Sequence, residues 1–215
     1  MHQQGYAYGA WGLVVTMVLI ALFFIVKFLP TRTRIAKRSN GALIAFIVAL
    51  FTEMYGFPLT IYFLTHFLGI EIPLDHISGH LLGDLITYVG LGNGWFIVML
   101  VSNLLIILGI WLVAAGWELV YESEGEFVIT GIYRYMRHPQ YTGIYVITLG
   151  FMIQWPTLTT LILWPFVILM YYRLARREEQ DLLEKFGDEY TRYMERTPMF
   201  LPLRRKLPET EEATG

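Results

Sequence analysis

The chain has no cysteine and little charge, and both absences narrow what it can be. Without cysteine, disulfides and thiolate chemistry on the protein itself are excluded, and any metal would depend on histidine or carboxylate ligands. Only 16% of the 215 residues are charged, whereas 55% are hydrophobic. This balance is far more apolar than that of an ordinary soluble domain. The composition therefore predicts a membrane protein.

Basic residues are missing from two long stretches. None precedes Lys27, and none occurs between Ser39 and Tyr133. The first gap leaves no basic region ahead of the first apolar segment, so we expect that segment to be retained and not cleaved as a signal peptide. Because basic residues collect on the cytoplasmic side of membrane spans, the pattern predicts an N-terminus outside and a C-terminus in the cytoplasm.

Five apolar segments are long enough, or nearly so, to cross a bilayer as helices, for which about 20 residues are needed. They are residues 11–29, 42–64, 95–117, 142–155 and 157–172. A Gln-Trp-Pro turn separates the last two, and its proline is expected to end one helix and open the next. The sequence thus predicts an all-α polytopic membrane protein with about five transmembrane helices.

The composition divides the chain into three regions. Residues 1–94 hold the first two predicted spans and an outer loop, and residues 95–203 hold the predicted functional core. Within this core, residues 173–196 have apolar side chains at helical spacing on one face, which predicts a cytoplasmic helical segment. Gly187 interrupts that pattern, and a new helix is expected to begin just after it. Residues 204–215 are predicted to be a disordered tail, because the residues from Leu207 on are small and acidic.

A carboxyl group lies within the second predicted span. Glu53 is costly in lipid unless it faces protein or water, and Pro58 interrupts the same segment. Two interpretations stay open: a functional carboxyl, or a buried carboxyl that only fixes helix packing.

Histidines collect in the predicted outer loop. His76, His80 and Asp84 are spaced four residues apart and would share one face of a helix, a spacing that a transition metal could use. A solvated interfacial helix with scattered histidines is the commoner explanation, and we assign no metal ligand. The two histidines, together with His66 and Glu53, motivate one alternative function, a non-catalytic metal-handling or transport protein.

Chemistry is predicted where a polar, aromatic loop, residues 131–143, interrupts the apolar runs. The short helical hairpin that follows it returns the acidic pair Glu178-Glu179 to the same side. Because the two ends of a short hairpin are close neighbours, we expect His138 and Glu178 to meet across its mouth. The resulting pocket would lie at the membrane interface under a roof of tyrosines. These tyrosines are Tyr133, Tyr135 and Tyr141.

Several motifs occur in order along this part of the chain. They are VITGIY at 128–133, RHPQYTG at 137–143, the acidic pair at 178–179, FGDEY at 186–190, Tyr193 and FLP at 200–202. Together they resemble the isoprenylcysteine carboxyl methyltransferase family, within the integral membrane methyltransferases that include phospholipid methyltransferases. The resemblance implies S-adenosylmethionine as methyl donor, with residues 95–203 as a catalytic core whose helical end closes the cofactor pocket.

The resemblance also implies roles for individual residues. Its cofactor contacts match Val128, Tyr133, His138, Pro139, Tyr141, Gly143 and Glu178. It implies an arginine just before the acidic pair, facing the methyl acceptor, and Arg173, Arg176 and Arg177 all fit that description. The catalytic candidates on the acceptor side are Arg173, Arg177 and Glu179.

The residue types suit this cofactor chemically. A carboxylate on the cofactor needs cationic or N–H donors such as His138, and its ribose hydroxyls or ammonium group need a carboxylate such as Glu178 or Glu179. A sulfonium is favoured against an aromatic face, which Tyr133 or Tyr141 could provide. Neither a metal nor a covalent intermediate is required.

The predicted function is therefore membrane-embedded methyl transfer to a lipophilic or small acceptor that carries a carboxylate, thiol or amine. The expected partners are this acceptor and membrane lipids, with no nucleic acid. A second enzyme class stays open, because membrane reductases of the sterol-reductase type have a similar HPxYxG segment but use NADPH. Those chains are usually much longer than this one.

Overall fold

The computed structural model describes residues 8–72, 79–123 and 127–201, which form helices and no strand. The helices are α1 (Trp11–Phe28), α2 (Arg34–Phe51), α3 (Leu59–Leu68), α4 (Leu81–Tyr88), α5 (Gly94–Glu122), α6 (Pro139–Gln154), α7 (Leu158–Phe186) and α8 (Asp188–Arg196). A π-helical turn, Thr52–Gly56, extends α2, and a 3₁₀ turn, Gly131–Arg134, precedes α6. The prediction of an all-α fold is confirmed. The predicted disordered tail lies outside the described residues.

Four of the described helices are long and apolar enough to cross a membrane. They are α1, α2 with its π-helical turn, α5 and α7. The fourth predicted span, residues 142–155, corresponds to α6, whose 16 residues would extend about 24 Å, and the fifth corresponds to the first part of α7. The prediction of a polytopic membrane protein is confirmed, and α6 is its shortest predicted span.

The second predicted span is broken near its end. The α-helix begins at Arg34, where the Thr33 side chain accepts a hydrogen bond of 3.1 Å from the Ala36 amide, and the helical run stops at Gly56. Phe57 is extended because the residue before a proline avoids the α-helical region, and Pro58 then precedes α3. The segment predicted as one helix is therefore two.

Glycines let α5 and α6 pack with their backbones close together. A Cβ added to Gly109 would lie 2.6 Å from the carbonyl oxygen of Gly143, and a Cβ on Gly143 would lie 2.6 Å from that of Gly109. Gly116 of α5 and Gly150 of α6 also lie against the other helix, where an added Cβ would be 2.9 Å from Cγ of Gln140 and 2.8 Å from Cγ1 of Ile106. Small residues are the usual means of close approach between membrane helices. The start of α6 is thereby pressed against the end of α5.

A buried polar network joins α2 to α7. The Asn40 amide donates to the carbonyl of Pro30 at 3.0 Å, and the Tyr171 hydroxyl donates to the Asn40 oxygen at 2.8 Å. The Ser39 hydroxyl donates to the carbonyl of Met170 at 3.0 Å. Because Pro30 lies between α1 and α2, the network also fixes the connection between those helices.

Glu53 takes part in helix packing at the other end of the molecule. Its side chain is 4% exposed, and its two carboxylate oxygens accept hydrogen bonds from the Thr60 amide at 2.9 Å and the Thr159 hydroxyl at 2.5 Å. These bonds join the π-helical turn to the starts of α3 and α7. Of the two interpretations offered by the sequence, the contacts favour the packing role.

The predicted metal-binding spacing is only partly described, because His76 lies outside the described residues. His80 is buried against Trp155, with ring centroids 4.8 Å apart, and its Nδ1 lies 2.8 Å from the carbonyl oxygen of Gln154. Asp84 is exposed on α4. Within the described part of the chain, no group of three or more histidines and carboxylates could hold a metal ion.

Candidate active site

A cavity of about 680 Å³ lies where α1 and α5 end, α6 begins and α7 meets α8. Its wall includes several of the residues singled out from the sequence, namely Val128, Tyr133, His138, Tyr141, Arg177 and Glu178. The remaining wall is mostly apolar and aromatic. Its volume falls in the range of about 300–1,000 Å³ that is typical of small-molecule sites.

The structure brings His138 and Glu178 together across the mouth of the α6–α7 hairpin. The Nδ1 of His138 lies 3.8 Å from Oε2 of Glu178, and its Nε2 lies 3.3 Å from Oε1 of Glu179. The Tyr141 hydroxyl donates to the other oxygen of Glu178 at 2.6 Å, and the Tyr141 ring stacks on His138. The three side chains His138, Tyr141 and Glu178 form one polar cluster in the cavity wall, called the His138 cluster below.

Glu179 is buried behind this cluster and does not line the cavity. Its Oε1 accepts a hydrogen bond of 2.7 Å from Nε of Arg137, and Nη2 of the same guanidinium lies 2.7 Å from this oxygen in an ion pair. The remaining Nη1 of Arg137 donates to the carbonyls of Met194 at 3.0 Å and Thr197 at 2.6 Å. Sequence reasoning gave Arg137 no role of its own. The structure shows that Arg137 ties the start of α6 to α7 and to the end of α8.

The segment after α8 supports His138 from behind. The amides of Arg137 and His138 donate to the carbonyls of Pro198 at 2.9 Å and Met199 at 3.0 Å. The Thr142 hydroxyl donates to the carbonyl of Phe200 at 3.0 Å. These bonds give a structural role to the closing motif that the sequence resemblance included without explaining it.

Tyr133 is fixed at the base of the cavity. Its hydroxyl donates to the carbonyl of Gly116 at 3.1 Å, and its own carbonyl accepts from the Tyr193 hydroxyl at 2.7 Å. Burial, together with the nearby charge of Glu178, raises the pKa of Tyr133 well above its ordinary value. The phenol therefore stays neutral and remains a hydrogen-bond donor at physiological pH.

One of the three tyrosines predicted to cover the pocket, Tyr135, does not line it. Tyr135 is 63% exposed, and it is absent from the cavity wall within the described residues. It directly follows the 3₁₀ turn, Gly131–Arg134, in which Tyr133 is buried. Phe127 and Trp117 provide aromatic surface in the wall instead.

Other predicted residues lie at the edge of the site or behind it. Gly143 packs against Gly109 of α5, and Pro139 is the first residue of α6. Arg173 is exposed and does not line the cavity, whereas Arg177 does, with its Nε 3.3 Å from Oδ1 of Asp181. Arg177 is therefore better placed than Arg173 to meet a bound molecule.

The sequence did not predict the part of the wall formed by the α1–α2 connection. Phe28, Leu29 and Arg32 line the cavity, and the Phe28 ring meets that of Trp117 edge-on with centroids 5.4 Å apart. No motif marked these residues. The sequence offered one indication of their position, since the basic cluster after the first span was expected on the same side of the membrane as residues 131–143.

The fold and the site together define a polytopic helical membrane protein with an enclosed polar cluster at one end of its helices. Residues 86–189 match the phospholipid methyltransferase family model. The chain is 32% identical over 77 residues to a protein-S-isoprenylcysteine O-methyltransferase of Schizosaccharomyces pombe. It is 31% identical over 131 residues to a methanethiol S-methyltransferase of Crocosphaera subtropica, and 33% identical over 87 residues to a probable protein-S-isoprenylcysteine O-methyltransferase of Oryza sativa subsp. indica.

The coverage of these matches is partial. They include 35%, 57% and 38% of this chain and 33%, 49% and 44% of the respective relatives. The chain therefore spans about half or less of the length of the curated relatives that it matches. The comparisons confirm the resemblance to the isoprenylcysteine carboxyl methyltransferase family that the sequence motifs indicated. The His138 cluster lies within the matched residues 86–189.

Proposed function

We propose that this protein is an integral membrane methyltransferase that uses S-adenosylmethionine and acts on a lipophilic or small acceptor with a carboxylate, thiol or amine. The observation that carries the proposal is the His138 cluster, which lies in the wall of a cavity of about 680 Å³ within the segment similar to methyltransferases. The relatives named above are methyltransferases, which favours this function over the reductase and transport alternatives.

The residues of the cavity wall fit this cofactor. Glu178 uses one oxygen to accept from Tyr141, which leaves Oε2 available to accept from a ribose hydroxyl or an ammonium group. His138 offers a ring nitrogen at the same cluster, and Tyr133 contributes an aromatic surface suited to a sulfonium. The cofactor would supply an electrophilic methyl group on sulfur, and its in-line displacement by the acceptor leaves a neutral thioether.

The chain itself contributes position and exclusion of water. Tyr133 and His138 are each fixed by backbone hydrogen bonds, so neither has to reorganise when a molecule binds. Aromatic and apolar side chains such as Phe28, Trp117 and Phe127 cover much of the wall, which keeps water from a reacting methyl group.

On the acceptor side we assign different roles to the arginines and to Glu179. Arg177 lines the cavity and is proposed to face the acceptor, and Arg173 lies outside the wall. Glu179 is proposed as a positioning residue, because it contacts Arg137 and His138 and is 2% exposed at its side chain. Pro139 and Gly143 act by setting the packing of α6 on α5.

The orientation in the membrane is part of the proposal. The cavity wall includes Arg32 from the first basic cluster and Arg137 and Arg177 from the later ones, so these clusters lie at the same end of the helices. Because basic residues favour the cytoplasmic side, this end and the candidate site are placed in the cytoplasm, with the N-terminus outside.

The ligand is tested with purified protein in detergent. S-adenosylmethionine and its demethylated product are expected to raise the thermal midpoint, whereas NADPH is expected to leave it unchanged. Stabilisation by NADPH and not by S-adenosylmethionine would contradict the proposal and favour a reductase.

A further inference from the structure

The connection between α1 and α2 forms a fixed wall of the cavity. Phe28, Leu29 and Arg32 line the cavity at this connection. Asn40 donates to the carbonyl of Pro30 at 3.0 Å, and Thr33 caps the start of α2. Hydrogen bonds therefore fix the backbone both before Arg32, at Pro30, and after it, at Thr33.

The same contacts link the connection to the rest of the cavity wall. Asn40 accepts from the Tyr171 hydroxyl at 2.8 Å, and the Tyr171 ring packs against Tyr141 with centroids 5.3 Å apart. Tyr141 in turn bonds Glu178. The backbone that carries Arg32 is thus coupled through side chains to the His138 cluster.

The charges in the cavity wall are mostly paired, and Arg32 is the exception. Arg137 bonds Glu179, and Arg177 lies 3.3 Å from Asp181. Glu178 accepts from Tyr141 and lies 3.8 Å from the imidazole of His138. Among the residues that the structure describes, no carboxylate lies within 4.0 Å of the Arg32 guanidinium.

Arg32 also lies beside an apolar part of the cavity wall. Phe28 and Leu29 precede it in the sequence and line the cavity, and the Phe28 ring meets that of Trp117 edge-on with centroids 5.4 Å apart. Val120 and Leu174 line the same cavity. A molecule with an apolar tail and an anionic group could therefore place its tail against this wall with its anionic group at Arg32.

From this arrangement we propose that Arg32 binds the anionic group of an amphipathic acceptor and thereby selects for anionic over neutral acceptors. The inference rests on the proposed function, because it concerns the acceptor side of the same cavity. Arginine suits this role because its planar guanidinium can bind a carboxylate or phosphate through two parallel hydrogen bonds.

Arg34 provides a matched control. It belongs to the same basic cluster and is exposed like Arg32, but it is the first residue of α2 and does not line the cavity. Replacing either arginine by alanine removes one positive charge from the same end of the first span. A general effect on membrane insertion or on surface potential would therefore appear in both variants.

The experiment compares octanoate with octanamide, which share a tail and differ in charge, on the full chain in nanodiscs of phosphatidylcholine. Binding is measured by the change in tryptophan fluorescence on titration, since Trp117 lies in the cavity wall. Arg32→Ala is expected to weaken octanoate binding about tenfold, which corresponds to about 1.4 kcal/mol, and to leave octanamide binding within about twofold. Arg32→Lys should recover part of the loss, and Arg34→Ala should match the wild type.

Three results would overturn the inference: no preference of the wild type for octanoate, equal affinities in Arg32→Ala and the wild type, or the same loss in Arg34→Ala. Stabilisation by S-adenosylmethionine is measured on the same samples. If S-adenosylmethionine stabilises the protein while Arg32→Ala binds octanoate normally, only the proposed role of Arg32 is contradicted. If the wild type shows no such stabilisation, the proposed function fails, and a selective octanoate loss would still show an anion site at Arg32.

Discussion

At the scale of single residues, the candidate site depends on which charges are buried and how each is paired. The Arg137–Glu179 pair is almost fully enclosed, with side chains 8% and 2% exposed. The Arg177–Asp181 pair lies within α7, and its side chains are 55% and 52% exposed. A buried charge that loses its partner is far more destabilising than an exposed one, so the two pairs should respond very differently to substitution.

We expect Arg137→Ala to lower the free energy of unfolding by about 3–5 kcal/mol, because it removes the buried Glu179 carboxylate's nearest cationic partner. Arg177→Ala is the control and should cost less than about 1 kcal/mol. Both are measured by thermal or denaturant unfolding in the same detergent. Restoration of stability in the double variant Arg137→Met/Glu179→Gln would support the explanation, and equal losses in Arg137→Ala and Arg177→Ala would contradict it.

Residue types in the sequence predicted part of this site. His138 and Glu178 were expected to meet, because a short hairpin returns its ends to one side, and they lie 3.8 Å apart. The exposure of Tyr135 and the presence of Arg32 in the cavity wall could not be predicted from a short hairpin or from any other local feature. Both depend on how a turn or a connection is oriented by distant packing, which no local pattern of residue types records.

At the scale of helices, the close contact between α5 and α6 positions the site, because His138 immediately precedes α6. Gly109 and Gly143 meet backbone to backbone, and a side chain at either position would force the helices apart. Gly116 is a second point of close contact, since a Cβ there would lie 2.9 Å from Cγ of Gln140. The resemblance instead matched Gly143 to a cofactor contact, and the sequence did not predict its contact with α5, because periodicity does not reveal which helix will be its neighbour.

Gly109→Ala is expected to destabilise the protein by roughly 1–3 kcal/mol, since the added methyl group would lie 2.6 Å from a backbone oxygen that has little freedom to move. Gly12→Ala in α1 is the matched control, because a Cβ there meets nothing within 4 Å. It should be neutral or mildly stabilising, as alanine favours helix more than glycine does. Thermal unfolding of both variants checks this, and a Gly109→Ala midpoint equal to that of the wild type would refute the packing argument.

At the scale of the whole molecule, hydropathy and charge predicted the membrane architecture better than the detail of its helices. The apolar runs identified the spans because about 20 apolar residues are required to cross a bilayer, whatever their neighbours are. The break at Pro58 and the packing role of Glu53 were harder to predict. Glu53 is stabilised by Thr60 and Thr159, and Thr159 lies far away in the sequence.

The absence of cysteine makes the proposed orientation directly testable. Single cysteines are introduced at two exposed positions, Asp84→Cys in α4 and Arg192→Cys in α8. A membrane-impermeant maleimide added to intact cells should label Asp84→Cys and not Arg192→Cys, and both should react after the membrane is permeabilised. Labelling of Arg192→Cys alone in intact cells would reverse the proposed topology.

The central claim is that the His138 cluster binds S-adenosylmethionine, and calorimetric titration of the cofactor into purified protein tests it most directly. Glu178→Gln removes the charge of the carboxylate in the cavity wall, and Glu184→Gln makes the same change at an exposed position of α7. Hydrogen bonds to charged groups contribute about 1.5–3 kcal/mol, so Glu178→Gln is expected to weaken binding at least about tenfold. Glu184→Gln should bind as the wild type does. Unchanged affinity in Glu178→Gln, or equal losses in the two variants, would contradict the claim.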